Sequence, residues 1–149
     1  MKTTKIIGAI ITNDNNELFT LYHNKIANQT IPMGKIEDDE SSHDATIREL
    51  REELGIHVIQ LTHLLGFSIL VNSHRDGKPT NLYMDLMYIN KYKGKITNKE
   101  PNKHANFEYY SFTQLYQMSN KSEIDSILKN ILNHLNLEKL IKQRIYKVK

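Results

Sequence analysis

The chemistry in this sequence begins with three glutamates, Glu49, Glu52 and Glu53, which fall within the five consecutive residues ELREE. Residues three and four apart share one face of a helix, so these carboxylates would converge there. Neighbouring like charges on a helix repel one another. Either the face is simply solvated, as charge runs on helices usually are, or the carboxylates hold a divalent cation. Mg²⁺ in particular binds through one or two carboxylates together with substrate phosphates.

An amphipathic helix must position these carboxylates. The sequence predicts that Ser41 caps this helix, with Asp44 three residues later, and that Gly55 ends it in the left-handed conformation. Its apolar residues would face largely away from the glutamates and toward a core: Ile47, Leu50 and Leu54.

Strand candidates lie on both sides of the acidic helix. Runs at residues 5–12 and 17–23, joined by an Asn-rich turn, predict a hairpin. Longer runs at 64–71 and 81–89 flank an Asp76-Gly77 turn. Apolar residues at helical spacing from Ile124 to Leu135 predict a second helix docked on the sheet. The predicted fold class is therefore α+β, with a mixed sheet flanked by helices.

Length and composition limit the classes of protein to which this chain could belong. The 149 residues suit one domain, residues 1–149, and the absence of cysteine excludes disulfides, thiolate zinc sites and cysteine nucleophiles. No stretch approaches a transmembrane length and the N-terminus turns polar too early for a signal peptide, so we expect a soluble cytoplasmic protein. The net charge of +3 mildly favours anionic partners such as nucleotides.

The segment at residues 34–56 resembles the Nudix signature at every fixed position. That signature is a glycine, five residues, a glutamate, seven residues, and then Arg-Glu-aliphatic-any-Glu-Glu-any-Gly-aliphatic. The residues that fill its fixed positions are Gly34, Glu40, Arg48, Glu49, Leu50, Glu52, Glu53, Gly55 and Ile56. So many fixed residues at fixed spacing make the motif specific.

The resemblance implies a Nudix hydrolase, an α/β/α sandwich that uses Mg²⁺ or Mn²⁺ to cleave nucleoside diphosphates linked to another group. It implies that the metal is held by Gly34, Glu49, Glu52 and Glu53. It also implies catalytic roles for Glu49, Glu52 and Arg48, the arginine pairing with neighbouring glutamates and orienting them. Metal ions held there would polarise a phosphoryl group and activate water.

Two further segments, at residues 7–19 and 98–115, resemble MutT-like nucleotide pyrophosphatases. This branch converts nucleoside triphosphates into monophosphates and pyrophosphate, which is therefore the favoured reaction. The alternatives are RNA 5′-end pyrophosphohydrolysis or decapping, and hydrolysis of a dinucleoside polyphosphate or ADP-ribose. Activity on RNA would fall steeply with salt, because strand binding releases counterions. A non-catalytic binding module is the third class, but its usual mark is a broken motif and this motif is intact.

The sequence departs from the MutT pattern at several substrate-binding positions. His23 stands where MutT has a phosphate-contacting arginine, and the extra metal-binding glutamate of MutT falls near Lys103. An aromatic residue and one glycine that often precede the Nudix motif are also missing. Phosphate contacts are therefore expected from Lys35, Lys103 or His104, each weighed against a plain solvated role.

Asp85 and Asn120 are candidate substrate contacts with two interpretations each. Asp85 interrupts an apolar strand, so it is either a pocket wall that accepts hydrogen bonds from a base or amine, or part of a solvated face or edge strand. Asn120 precedes the last predicted helix, where it would contact a base as in MutT or cap the helix.

The tail at about residues 138–149 is a candidate basic extension. It would bind RNA, a membrane surface or a protein partner, or it is a helical extension with a solvated face. Its basic residues are Lys139, Lys142, Arg144, Lys147 and Lys149.

Glu53→Gln separates a metal site from a solvated acidic face. The change removes one charge and keeps the shape, so the metal-free fold should be equally or more stable while most of the Mg²⁺-induced rise in Tm is lost. Binding to the native state alone adds RT ln(1 + [L]/Kd), about 2.7 kcal/mol at a hundredfold excess over Kd. Melting curves of both proteins, with EDTA and with millimolar Mg²⁺, provide the measurement. A solvated face predicts equal metal-induced shifts.

Overall fold

The structure, a computed structural model, describes residues 3–72 and 76–148, with side chains as far as residue 143. Its helices and strands, in chain order, are β1 (Thr3–Ile10), β2 (Leu18–His23), β3 (Asn28–Thr30), β4 (Met33–Lys35), α1 (Ser42–Leu54), β5 (His57–Asn72), β6 (Pro79–Lys93), β7 (His104–Tyr110), α2 (Phe112–Asn120), α3 (Ser126–Asn133) and α4 (Leu137–Val148).

The strands form two sheets. The larger sheet has the order β4-β1-β6-β5 and is mixed, because β1 runs parallel to β6 while the other pairs are antiparallel. The smaller sheet, β3-β2-β7, is antiparallel. The predicted Asp76-Gly77 turn lies between β5 and β6, with Gly77 at a φ of 70°, and residues 73–75 of that connection are outside the described residues.

The sequence predicts that the first two strands form a hairpin. The structure agrees at the turn that joins them, but the strands themselves do not pair. The two strands meet at the Thr12 to Leu18 bridge and then enter different sheets. The reason is visible in the run from Ile6 to Ile11, which is apolar at nearly every position and buried throughout. A run of that kind is typical of a strand covered on both faces, and β1 lies between two neighbours inside the larger sheet.

Helices cover both faces of the larger sheet. On one face, Ile7 and Met87 pack against Ala45 of α1. On the other face, Met84 joins the cluster that contains Leu128 of α3 together with residues of α2 and α4. This arrangement is the α/β/α sandwich with a mixed sheet that the sequence predicted.

Helix α1 has the predicted caps. The side chain of Ser41 accepts a hydrogen bond from the backbone N–H of Asp44 at 3.0 Å. Gly55 follows the helix with a φ of 68°, and its N–H bonds back to the carbonyl of Arg51. Leu50 and Leu54 are fully buried in a core cluster, so the apolar face of α1 packs against the core.

The C-terminal region contains more helix than the sequence predicted. The predicted helix at residues 124–135 is α3, and its cap is Asp125, which accepts from the N–H of Leu128 at 2.9 Å. Helix α2 begins with a capping box between Ser111 and Gln114 and was not predicted. Asn120 is the last residue of α2, so the expected position of Asn120 as a cap of the following helix is wrong.

Helix α4 occupies most of the candidate basic extension. Its residues Leu137 and Ile141 are buried in the main core, and Lys139 and Lys142 are exposed. The side chains of Arg144 and Lys147, and the whole of Lys149, lie outside the described residues. Binding by this tail remains a prediction. Within residues 3–72 and 76–148, every helix is too short or too polar to span a bilayer.

Phe19 joins the smaller sheet to the core, and its truncation should be costly. Its side chain is 2% exposed and meets the rings of Phe107 and Tyr109 edge-on at 5.3 and 5.4 Å. Phe19→Ala should lower the free energy of unfolding by about 3–5 kcal/mol through lost burial and a cavity. Ile59→Ala, on a side chain that is 43% exposed, is the control and should cost about 1 kcal/mol or less. Urea unfolding measures both, and equal losses would contradict the assigned core.

Candidate active site

Arg48 is the centre of an ion-pair network on α1. Its Nε and Nη2 atoms donate to both carboxylate oxygens of Glu40 at 2.8 and 2.9 Å. Its Nη1 donates to Glu49 at 2.9 Å and to Glu52 at 3.4 Å, and Nη2 also donates to the carbonyl of Lys35 at 3.0 Å. Hydrogen bonding to Arg48 lowers the pKa of Glu40 to about 2, and the same pair raises the pKa of Arg48. The planar guanidinium thus fixes three carboxylates at once.

Gly34 allows Glu49 to lie against the backbone of β4. A Cβ at position 34 would overlap the side chain of Glu49 and would lie 2.6 Å from its Oε1 atom. The glycine at the start of the signature therefore has a physical reason, because a larger residue would displace this carboxylate.

Glu53 is a buried acid beside Glu49. Glu53 is 5% exposed, and its Oε2 atom is buried with no hydrogen-bond partner among the described residues. Burial and the neighbouring Glu49 raise the pKa of Glu53 to about 9. Burial also raises the pKa of Glu49, and the Arg48 hydrogen bond opposes that effect. Burial and the closeness of the two carboxyls thus raise both pKa values and favour the protonated form of this pair.

The donor atoms of this carboxylate cluster suit a hard divalent cation. The cluster offers carboxylate oxygens, one of them buried and unpartnered, and the backbone of Gly34 lies beside them. In the described part of the chain, no three His, Asp or Glu side chains are already spaced as metal ligands. Instead, Arg48 Nη1 binds Glu49 at 2.9 Å and Glu52 at 3.4 Å. A cation would compete with Nη1 for the same oxygens.

The loop before β7 adds an acid that the sequence analysis missed. The N–H of Lys99 donates to the carbonyl of Glu53 at 3.1 Å and docks this loop on the end of α1. After burial and Glu49, the charge of Glu100 is a further cause of the raised pKa of Glu53. Glu100 also pairs with Lys103 at 3.2 Å, which raises the pKa of Lys103. The resemblance to MutT predicts a metal-binding glutamate near Lys103. In the structure, the acid that influences Glu53 is Glu100, three residues earlier.

A cleft of about 980 Å³ opens beside the carboxylate cluster. Gly34 and Lys35 line this cleft and also contact Glu49 and Arg48. The other lining residues include basic, polar and apolar side chains, among them His23, Lys25, Asn28, Asp125, Asn130, Ile6, Met33, Ile69 and Leu82. The volume lies in the range of small-molecule sites.

His23 is oriented by the turn that follows β2. Its Nδ1 accepts from the N–H groups of Lys25 at 3.2 Å and Ile26 at 3.3 Å, so the proton of the neutral ring lies on Nε2. The ring of His104 meets it edge-on at 5.2 Å. His104 is 4% exposed and burial lowers its pKa, which favours the neutral ring.

The structure brings His23 and Lys35 to the cleft but separates other predicted substrate residues from its wall. Among the described residues that line it, Asp85, Lys103 and Asn120 do not occur. Lys103 stays in the docked loop near the carboxylate cluster, and Asn120 is exposed. Asp85 lies on the inner strand β6, so the edge-strand interpretation is wrong. The cleft residues Lys25 and Asp125 were missed because only tertiary contacts bring their segments together.

The chain belongs to the NUDIX family, because the NUDIX domain matches residues 2–134. The resemblance read from the signature is therefore confirmed.

Two curated relatives match part of the chain. The 8-oxo-dGTP diphosphatase of Escherichia coli (strain K12) is 42% identical over 60 residues, which are 38% of this chain and 46% of that protein. The 8-oxo-dGTP diphosphatase of Proteus vulgaris is 32% identical over 69 residues, which are 46% of this chain and 56% of that protein. The chain spans about half the length of the curated relatives it matches.

Solved structures share the fold. The MutT protein from Methanosarcina mazei Go1 superposes with a TM-score of 0.74 at 15% identity, over 92% of this chain and 95% of that one. At this identity the likeness concerns the fold, and it confirms the predicted sandwich.

The raised pKa of Glu53 predicts how metal-free stability changes with pH. Its native pKa is about 9, against 4.5 ordinarily, so the native state binds more protons than the unfolded state between these values. Stability should therefore fall as pH rises from 7.5 to 9, and Glu53→Gln should flatten this slope. Urea unfolding in EDTA at pH 7.5 and at pH 9 measures the free energy of unfolding and therefore this slope. Glu52→Gln, on the exposed side of the same helix, is the control and should keep most of the slope; equal slopes in wild type and Glu53→Gln would contradict the assignment.

Proposed function

We propose that this protein is a divalent-metal-dependent Nudix hydrolase that converts a nucleoside triphosphate into its monophosphate and pyrophosphate. Mg²⁺ or Mn²⁺ would serve as the cation. A triphosphate carrying 8-oxoguanine is the first substrate to test, because both curated relatives are 8-oxo-dGTP diphosphatases.

The observation that carries the proposal is that strand β4 is shared by the carboxylate cluster and the cleft. Gly34 lies against Glu49, and the carbonyl of Lys35 accepts from Arg48. The same two residues line the cleft. The three glutamates of the carboxylate cluster are not among the described residues that line the cleft, so β4 is the element that would connect a nucleotide bound there to the carboxylates.

In the proposed mechanism, the carboxylates of Glu49, Glu52 and Glu53 and the carbonyl of Gly34 would hold the cation. When bound, the cation polarises the phosphoryl group and lowers the pKa of water. Arg48 orients Glu49 and Glu52 through the hydrogen bonds of Nη1. One glutamate of the cluster takes a proton from the attacking water. The water oxygen bonds to one of the two phosphorus atoms of the α–β anhydride as the P–O bond between that phosphorus and the bridging oxygen breaks, and the products are the nucleoside monophosphate and pyrophosphate.

The basic residues of the cleft suit the phosphate chain. His23 would donate from Nε2, because its Nδ1 already accepts from two backbone N–H groups. Lys25 and Lys35 are exposed cations on the same wall and would contribute charge. Lys103 would act from the loop beside the carboxylate cluster, where it pairs with Glu100.

Polar and apolar residues of the cleft suit a base. Asp125 is 6% exposed and is fixed by hydrogen bonds from Thr30 Oγ1 at 2.8 Å and the N–H of Leu128 at 2.9 Å. A carboxylate held in this way would accept hydrogen bonds from base N–H groups. Met33 and Leu82, also on the cleft wall, would contact the faces of the base.

Product analysis tests the proposed reaction. With Mg²⁺ or Mn²⁺, the protein should release a nucleoside monophosphate and pyrophosphate from a triphosphate. In EDTA, the protein should hydrolyse no triphosphate. Chromatography of products from nucleoside triphosphates, 8-oxo-dGTP, a dinucleoside polyphosphate, ADP-ribose and triphosphorylated RNA would identify the substrate class.

Two variants make the experiment specific. Glu49→Gln should reduce turnover by at least about 100-fold, as expected when a ligand or proton acceptor is lost. Glu138→Gln makes the same chemical change on α4 and should leave turnover unchanged. Initial release of orthophosphate and a nucleoside diphosphate would contradict the proposed bond, and no turnover of any substrate by the folded protein would contradict the enzyme.

A further inference from the structure

Asp85 is a carboxylate on the face of the larger sheet that α1 covers. It pairs in register with Ile7 of β1 and Gly66 of β5, so it lies on an inner strand. Its side chain is 14% exposed. A carboxylate in such a position needs hydrogen-bond partners from the protein.

Each oxygen of Asp85 has such a partner, and the two partners come from different elements. Oδ2 accepts from the hydroxyl of Ser42 at 2.5 Å, a short distance typical of a hydroxyl donating to a carboxylate. Oδ1 lies 2.7 Å from Nε2 of His63, within hydrogen-bond distance. Ser42 is the first residue of α1, and the positive end of the helix dipole adds to the attraction. Asp85 therefore connects β5, β6 and the beginning of α1.

Gly66 provides space for this contact. A Cβ at position 66 would overlap the hydroxyl of Tyr83 and would lie 3.1 Å from Oδ1 of Asp85. The glycine opposite Asp85 therefore leaves room for Oδ1, the oxygen that contacts His63.

The position of α1 along its own axis needs directional contacts. Apolar packing holds the helix near the sheet, but the hydrophobic effect is not directional. Two side-chain hydrogen bonds to the larger sheet supply direction, from Ser42 to Asp85 and from Arg48 to the carbonyl of Lys35. At the other end of the helix, the N–H groups of Thr97 and Lys99 bond to the carbonyls of Leu54 and Glu53. Ser42 and Arg48 are about 9 Å apart along the helix axis, at a rise of about 1.5 Å per residue. A slip by one residue would exceed the tolerance of about 0.5 Å that a functional site allows.

We propose that Asp85 is a positioning residue for the carboxylate cluster. Through Ser42 it fixes α1 at the axial position where Glu49 meets Gly34 and lies beside Glu53. This inference rests on the proposed function, because it assigns a cation to the cluster.

Mn²⁺ binding to the metal-free protein tests this role without a turnover assay. Electron paramagnetic resonance of free Mn²⁺ gives Kd for each variant. Ser42→Ala should raise Kd about tenfold, the low end of the loss seen when supporting hydrogen bonds around metal ligands are removed. Ser42→Thr restores the hydroxyl and should recover most of the affinity. His63→Gln should have a smaller effect, because it leaves the bond to Ser42 in place.

Ser111→Ala is the matched control. It removes a hydroxyl from the start of α2, which should lower Tm as a lost cap does while leaving the Kd for Mn²⁺ unchanged. Equal Kd values in wild type and Ser42→Ala, whatever the change in Tm, would overturn the positioning role and leave the proposed function intact. Failure of the wild type itself to bind Mn²⁺ would instead overturn the proposed function, and the positioning role with it.

Discussion

Electrostatic repulsion among the acids of α1 is the constraint on which the rest of the structure depends. Glu53 is almost completely buried beside Glu49, and a buried charge without a partner costs several kcal/mol. The metal-free protein lowers this cost in two ways. Arg48 binds Glu49 on one side, and a raised pKa favours the protonated form of the buried pair. Both responses are reversible, so in the proposed function the cluster would exchange a proton and an arginine contact for a cation.

The fold holds this unfavourable cluster in place by stabilising α1 along its whole length. Ser41 and Gly55 cap the ends, and Leu50 packs beneath the middle. Polar contacts with the larger sheet then set the axial position, one from Ser42 to Asp85 and one from Arg48 to β4. Strand β4 in turn forms part of the cleft wall, which explains why the acids and the cleft are adjacent.

Sequence reasoning failed where the answer depended on contacts between distant segments. The prediction that the first two strands form a hairpin is wrong because β1 pairs with β6, a strand more than 70 residues further along the chain. Asp85 could be recognised as an acid in a strand, but Ser42 and His63 could not be identified as its partners, since nothing local connects them. Glu100 was missed for the same reason. Its proximity to Glu53 arises because the loop docks on the end of α1.

The sequence by itself determined the family, the limits and caps of α1, and the residues of the carboxylate cluster. These features depend on residues within about one helix length of each other, where spacing along the chain fixes spacing in space. The tertiary structure alone decided which sheet each strand entered, which basic residues reached the cleft, and what Asp85 contacts. Those outcomes arise from pairing and burial between segments far apart in the chain, and local spacing carries no information about them.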